Sequence, residues 1–167
     1  MQLGPLQPEN LEMYLAWRND PDTYRWCRQY EPLSIEQHHA WYESLSFRPD
    51  VRMYEILDKN HNPVGVCGLT DIDEINRRAE FSLYIGTEFR GKRYAKPALA
   101  ALLDKGFNVI NLHLIWGETF EGNSAAVIFE NLGFTKEGTR RDFYFRDGKY
   151  IDAHLYSITA EEWRRCR

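Results

Sequence analysis

The sequence lacks several things, and each absence narrows what the chain can do. No apolar run approaches the roughly 20 residues that a bilayer-spanning helix requires. Positive charge is not in excess: 21 Lys and Arg stand against 25 Asp and Glu, a formal net charge of −4. That balance excludes broad, phosphate-driven nucleic-acid binding, so any anion site must be local. Cysteine is scarce, and Cys27, Cys67 and Cys166 stand far apart in no Cys-x-x-Cys or Cys/His spacing. No metal centre is therefore expected, and all three read as structural thiols of a reducing compartment. The opening residues Met1-Gln2-Leu3-Gly4-Pro5 have neither a basic nor an apolar leader region, which makes the cytoplasm the expected location. Repeats, low-complexity tracts and linkers are also missing. The 167 residues read as one domain, long enough to bury a core.

What is there is a succession of well-punctuated elements. Residues 9–19 read as a helix after Pro8, and Asn19-Asp20-Pro21-Asp22 as a turn. Ser34-Ile35-Glu36-Gln37 is a capping box that opens a helix to about Ser46. Met53 to Leu57 and Val64 to Thr70 read as a hairpin, and Arg78 to Ile85 as the next strand. A helix is expected from Lys96 to about Asn108, a buried strand over Leu112 to Glu118 and a short helix over Ala125 to Asn131, stopped at a left-handed Gly133. Gly138 to Phe145 and Tyr150 to Ile158 form a last hairpin around Asp147-Gly148, and Thr159-Ala160-Glu161-Glu162 caps a tail helix. This order predicts an α+β, or mixed α/β, fold around one sheet.

The stretch with the clearest chemistry runs from Phe81 to Leu99. An apolar strand ends at Gly86, a basic turn follows, and Pro97 sits in the first turn of a helix. Unpaired N–H groups and the positive helix end prepare such a turn for an anion. Arg90, Lys92, Arg93 and Lys96 add full charges, and a phosphate or pyrophosphate is the ligand that this pattern suits.

Four segments, in this order, resemble the GCN5-related N-acetyltransferase (GNAT) superfamily over nearly the whole chain. The family's Arg/Gln-x-x-Gly-x-Gly/Ala signature corresponds to Arg90-Gly91-Lys92-Arg93-Tyr94-Ala95, with Arg93 in place of the middle Gly. Its later helix block corresponds to Phe129-Glu130-Asn131-Leu132-Gly133-Phe134. Trp17-Arg18-Asn19-Asp20-Pro21 and Arg146-Asp147-Gly148-Lys149-Tyr150-Ile151-Asp152 look like the branch of ribosomal-protein N-terminal and amino-sugar acetyltransferases. The resemblance implies a mostly antiparallel sheet of about seven strands with four to five helices, and acetyl-CoA as co-substrate without metal. It implies that N–H groups from Gly91 to Lys96 hold the diphosphate and that the backbone of Leu83 and Ile85 pairs with the pantetheine arm. Asn123 is a further candidate contact, although anchoring on Gly133-Phe134 puts Gly122 at that place. Arg93 is expected on unstrained backbone, its side chain toward phosphate or solvent.

The implied reaction needs an amine relieved of its proton, because an alkylammonium with a pKa near 10.4 is no nucleophile. Glu80 is the first candidate base: strand alternation places it with Ser82 and Tyr84, opposite Phe81, Leu83 and Ile85. The plainer alternative pairs Glu80 with Arg77, Arg78 or a hairpin Arg. His38, in a His-x-x-Trp pair with Trp41, is second. The family's usual thiolate proton donor is a Tyr where this chain has Phe129, so either no donor is needed, because a thiolate leaves adequately, or Tyr84, Tyr94 or Tyr144 substitutes, none of them favoured by spacing. That departure lowers the expectation of a polyamine acetyltransferase. Trp17, Tyr24, Trp26, Tyr30, Trp41 and Tyr42 read either as core or as a substrate wall, and Asp71, Asp73 and Glu74 either as a lure for a cation or as a solvated loop. The expected acceptor is a primary amine of a small molecule such as a nucleotide-linked amino sugar. A ribosomal-protein N-terminus and a non-catalytic acyl-CoA-binding module are the alternatives. No nucleic-acid or membrane partner is expected, and apolar residues on the final hairpin leave room for a homodimer. A dinucleotide-binding domain is a poor fit, for want of a Gly-x-Gly-x-x-Gly after the first strand.

Overall fold

A computed structural model describes all residues, Met1–Arg167. Seven strands form one sheet in the order β1-β2-β3-β4-β5-β7-β6: β1 is Gln2–Pro5, β2 Arg52–Leu57, β3 Pro63–Asp73, β4 Arg78–Ile85, β5 Leu114–Phe120, β6 Thr135–Arg146 and β7 Lys149–Thr159. Six helices accompany them, more than the expected four or five: α1 Leu11–Asn19, α2 Pro21–Tyr24, α3 Ile35–Ser44, α4 Ala95–Asn108, α5 Ala126–Glu130 and α6 Ala160–Arg165. Every ladder is antiparallel except β4 with β5, which the crossover through α4 makes parallel. No helix is long and apolar enough to cross a membrane.

Local chemistry explains most boundaries. Both capping boxes are formed, at Ser34 with Gln37 and at Thr159 with Glu162, each satisfying two otherwise orphaned N–H groups. Asp147 and Gly148 both take positive φ, +48° and +78°, as the right-twisted hairpin between β6 and β7 demands. Two elements escape the sequence reading. β1 is four residues of Gln-Leu-Gly-Pro that become a strand by pairing with β2 at the sheet edge, where Pro is tolerated. α2 grows out of the Asn-Asp-Pro-Asp turn, because Asp20 caps it by accepting from the N–H of Asp22 and Pro21 is its first residue.

The two faces of the sheet carry different cores. On one, Leu99, Leu102 and Leu103 of α4 pack with Leu69, Phe81 and Ile115 of the sheet, Phe129 of α5 and Trp163 of α6 in a cluster of 20 buried residues. On the other, α1 contributes Leu11, Tyr14 and Trp17 to a smaller cluster with Leu6 and Val66, against which Trp41, Tyr42 and Tyr84 pack. The predicted alternation of β4 holds: Phe81 belongs to the first face and Tyr84 to the second.

Candidate active site

β4 and β5 run together for only three residue pairs, Arg78 with Leu114 to Glu80 with Trp116. Beyond Glu80 they part. Ser82 to Ile85 keeps a partner only in β3, while Gly117 to Phe120 keeps one only in β7. The result is a notch whose walls are strand edges with unused backbone donors and acceptors. A cavity of about 600 Å³ fills this notch and continues under α2, lined by Glu80, Leu83, Tyr84, Ile85, Glu118 and Asn123 among others. Leu83 and Ile85 therefore lie where an extended ligand arm can add itself to the sheet as a strand does.

At one end of the cavity lies the turn after β4. The N–H groups of Gly91, Arg93, Tyr94, Ala95 and Lys96 have no acceptor within the chain. Gly91 and Arg93 both take positive φ, +74° and +64°, which corrects the expectation of relaxed backbone at Arg93. Left-handed backbone at a residue with a Cβ costs about 1–2 kcal/mol. Gly91 has open space on its Cα, with no atom within 4 Å of the place a Cβ would take. Lys92, Arg93 and Lys96 are exposed. Arg90 is a second correction. Its Nη2 donates to Asp20 Oδ1 at 2.7 Å and to the Thr23 hydroxyl, so its charge ties the turn to α2. Tyr94 packs edge-on to Phe89.

At the deep end two carboxylates meet. The side chains of Glu80 on β4 and Glu118 on β5 are only 7% and 4% exposed. They stand where the strands separate, and the guanidinium of Arg28, from the irregular segment after α2, bridges them. Arg28 Nη2 donates to Glu80, and Nε donates to Glu118 at 2.7 Å. Glu118 also accepts from the Tyr144 hydroxyl and from Arg140 Nη1 at 3.3 Å. Burial works against the Arg28 charge, but the bond and charge of Glu118 outweigh it and hold the guanidinium above its ordinary pKa. Burial, then the bond to Glu118, raises the Tyr144 hydroxyl. Glu80 thus has a cationic partner, as the plainer reading required, but the partner is Arg28 and not Arg77, Arg78 or a hairpin arginine.

The remaining candidates divide. Tyr84 lines the cavity from the same strand as Glu80, and burial raises its hydroxyl well above the usual phenol range, so it stays protonated. Asn123 lines the cavity while its Oδ1 accepts from the Ala125 N–H at 2.9 Å, which leaves its amide group directed elsewhere. Phe129 lines the floor, edge-on to Phe81. His38 is not brought to the site. It is buried on α3 with its ring stacked on Trp41 at 5.0 Å, outside the cavity lining. Of the six N-terminal aromatics only Trp26 lines the cavity; Trp17, Trp41 and Tyr42 are core, and Tyr24 and Tyr30 pair edge-on at 5.8 Å. Asp73 is engaged by Asn76 and Arg78 in a turn, away from the lining. Cys27, read as structural, lines the cavity, with burial raising its thiol. Cys67 is buried, its thiol pushed up to about 12 by desolvation, and Cys166 is exposed.

Sequence reasoning missed Arg28 and Glu118 as parts of this site. Their signal is weak: Arg28 lies 52 residues from Glu80 and 90 from Glu118, and only the fold joins them.

The likeness to known proteins agrees with this geometry. Residues 1–135 match the family model of an acetyltransferase (GNAT) domain. The chain is 34% identical over 113 residues to a spermidine N(1)-acetyltransferase of Vibrio cholerae, spanning 67% of this chain and 65% of that protein. It is 26% identical over 168 residues to the uncharacterized N-acetyltransferase p20 of Bacillus licheniformis, spanning 98% of this chain and 94% of that one. A crystal structure of spermidine N-acetyltransferase from Vibrio cholerae in complex with CoA and spermine matches with a TM-score of 0.93 at 26% identity, over 98% of this chain and 97% of that one. The split sheet, the amide-lined turn and the matched family model lead to one conclusion: the chain belongs to the GNAT acetyltransferases, and it is an N-acetyltransferase with acetyl-CoA as its donor.

Proposed function

We propose that the acceptor is a primary amine of a small molecule, with an aliphatic polyamine as the leading class, and that the chain acts as a single catalytic domain. One observation carries this reading. A buried pair of carboxylates, Glu80 and Glu118, faces a cavity and already holds a cation between its members. An ammonium has the charge and donors to take that place. The relatives whose names specify spermidine support the same class. An amino sugar, the expectation from the aromatic N-terminal third, loses most of its basis because one aromatic of six lines the cavity. Trp26 is the observation that keeps it as the second reading.

The residues fit the donor. The free N–H groups from Gly91 to Lys96, with Lys92, Arg93 and Lys96, suit the diphosphate, and the edges of Leu83 and Ile85 with Asn123 suit the pantetheine arm. When bound, acetyl-CoA supplies an acetyl group activated as a thioester. Glu80 acts as general base, taking the proton that the attacking nitrogen must lose. Glu118 keeps the charge of the acceptor next to Glu80, held in place by Tyr144 and Arg140. Tyr84 contributes a hydrogen bond and not a proton, because a hydroxyl raised by burial is a weaker acid than a thiol. A thiolate leaves adequately at neutral pH, so Phe129 is compatible with turnover of polyamines despite the missing Tyr.

The test follows thiol release from acetyl-CoA across spermidine, putrescine, a nucleotide-linked amino sugar and a peptide with a ribosomal-protein N-terminus. The expected result is turnover of spermidine by the wild type. CoA binding without turnover of any amine would overturn the reading.

A further inference from the structure

Arg28 poses a problem for the chemistry just described. Glu80 has one polar partner in the whole chain, the Arg28 guanidinium. A guanidinium keeps its protons at any relevant pH. While the two are joined, Glu80 is neither free to receive an acceptor's ammonium nor free to take its proton. Glu118 is different, because Tyr144 and Arg140 remain on it without Arg28.

The setting of Arg28 suits departure. Its side chain is 47% exposed above two carboxylates that are nearly buried. It lies between α2 and α3 in a segment without helix or strand, residues 25–34. That segment is held chiefly by side chains from elsewhere. Arg146, at the end of β6, donates from Nη2 to the carbonyls of Cys27 and Arg28 at 3.2 and 3.0 Å, and its guanidinium lies over the Tyr30 ring at 4.6 Å. Tyr30 donates to Asp147 at 2.6 Å, and Arg18 Nη2 donates to the Gln29 carbonyl at 3.3 Å. Asn19 adds a reciprocal pair of bonds to Leu33 at 2.8 Å, so the backbone of the segment is well anchored; what can leave the carboxylates is the half-exposed Arg28 side chain, whose only hydrogen bonds are to Glu80 and Glu118.

We propose that Arg28 is a resident stand-in for the acceptor's ammonium: its guanidinium occupies the Glu80–Glu118 pair in the amine-free protein, and the acceptor enters by displacing it. The inference rests on the reading of the chain as an amine acetyltransferase. Displacement makes amine affinity a competition, so Arg28 sets the concentration range over which amines bind. It also keeps two buried carboxylates compensated between turnovers, a state that would otherwise be strongly destabilising. Arg28 is in this sense a specificity-determining residue, because an acceptor must outbid a permanent cation for both carboxylates.

The test compares wild type, Arg28→Ala and Arg28→Lys, all loaded with CoA. Methylammonium or guanidinium chloride at tens of millimolar, against potassium chloride at equal ionic strength, should raise the Tm of Arg28→Ala by roughly 3 °C or more, a ligand-linkage effect for a chain of this size. Wild type should not respond. With spermidine as acceptor, KM should fall about tenfold or more in Arg28→Ala while kcat stays within about threefold, since removing a competitor changes ground-state binding. Arg28→Lys, one point charge without the fork, should fall between; it carries the test if Arg28→Ala fails to fold. A rise in KM together with a fall in kcat, and no cation-specific gain in Tm, would overturn the proposal and leave Arg28 as a structural clasp. The two readings fail separately: amine turnover without the KM shift removes the displacement, whereas cation rescue with no amine turned over removes the acetyltransferase acceptor class.

Discussion

The two faces of the sheet are built to different rules. The face under α4 is packed mainly from apolar side chains, and its cluster includes Leu99, Leu102, Leu103 and Ile115 at 0–1% exposure. The face under α1 and α3 buries polar groups: Glu55 beneath Tyr14, His38 against Trp41, and Glu80 beneath Arg28. The same strands serve both, because β alternation sends Phe81 to one side and Glu80 to the other. The first face supplies stability without direction. The second places charges, at the cost of needing a partner for each. A substitution in the apolar cluster and one at the Glu80 carboxylate should therefore produce opposite signatures.

The largest effect is expected on the apolar face. Leu102→Ala removes a fully buried side chain and should cost about 3–5 kcal/mol, a fall in Tm of roughly 10 °C. Below its transition the variant should keep wild-type KM for spermidine and for acetyl-CoA. A changed KM with unchanged Tm would erase the distinction between the faces. Glu80→Gln should do the reverse. It keeps shape and loses the base, so kcat should fall about 100-fold, near 2.7 kcal/mol of barrier, with Tm moving little. A variant with near-wild-type kcat at neutral pH would assign the proton transfer to water or to Glu118.

How much of this was legible depends on the distance over which each feature is decided. β4 was found to the residue, because alternation and a terminal Gly are local. The same is true of both capping boxes and the Asp147-Gly148 turn. The amide-lined turn was legible for the same reason, and Glu80 followed from the alternation of its own strand. Arg90 was misread because its direction is set by Asp20, 70 residues earlier. His38 was misread because a helical His followed at i+3 by Trp looks the same whether it lines a cavity or stacks in a core; only the placement of α3 decides. Arg28 had no local signal at all. Its segment has no periodicity, and what fixes it is Arg146, 118 residues on. Apolar faces announce themselves by period, whereas polar networks are assembled by topology.

A smaller effect should come from the polar network around Glu55, which lies outside the cavity lining. Tyr14 donates to Glu55 Oε2 at 2.5 Å, Asn10 Nδ2 adds a 3.3 Å bond, and the Gln7 N–H donates to the Tyr14 oxygen at 3.4 Å. Tyr14→Phe leaves a buried carboxylate with one weak donor and should cost about 2 kcal/mol by denaturant unfolding. Burial first, then the bond to Glu55, hold the Tyr14 hydroxyl above its ordinary value of 10.0. A group raised on folding contributes in full below its unfolded pKa and loses that contribution as pH rises past it. The difference between wild type and Tyr14→Phe should therefore be constant from neutral pH up to about pH 10 and shrink above it. A cost under about 0.5 kcal/mol, within the range of ordinary surface changes, would mean that this network is not sealed from water.

The smallest effect belongs to His38, and it is one of slope. The ring is 3% exposed, its Nε2 has no partner, and burial first, then the charges of His39 and Arg18, hold its pKa below the ordinary 6.5. A histidine lowered on folding is neutral in the native state and gains its proton mainly on unfolding. Its contribution is thus present above pH 6.5 and drains away as acidification protonates the unfolded chain first. His38→Phe keeps a ring for Trp41 and removes the titration. From pH 7 to about pH 5 the variant should lose less stability than the wild type, with KM and kcat unaffected because the ring never reaches the cavity. Parallel Tm curves across that range would show that the ring already exchanges its proton with water in the folded chain, and the polar face would then be wetter at α3 than its packing implies.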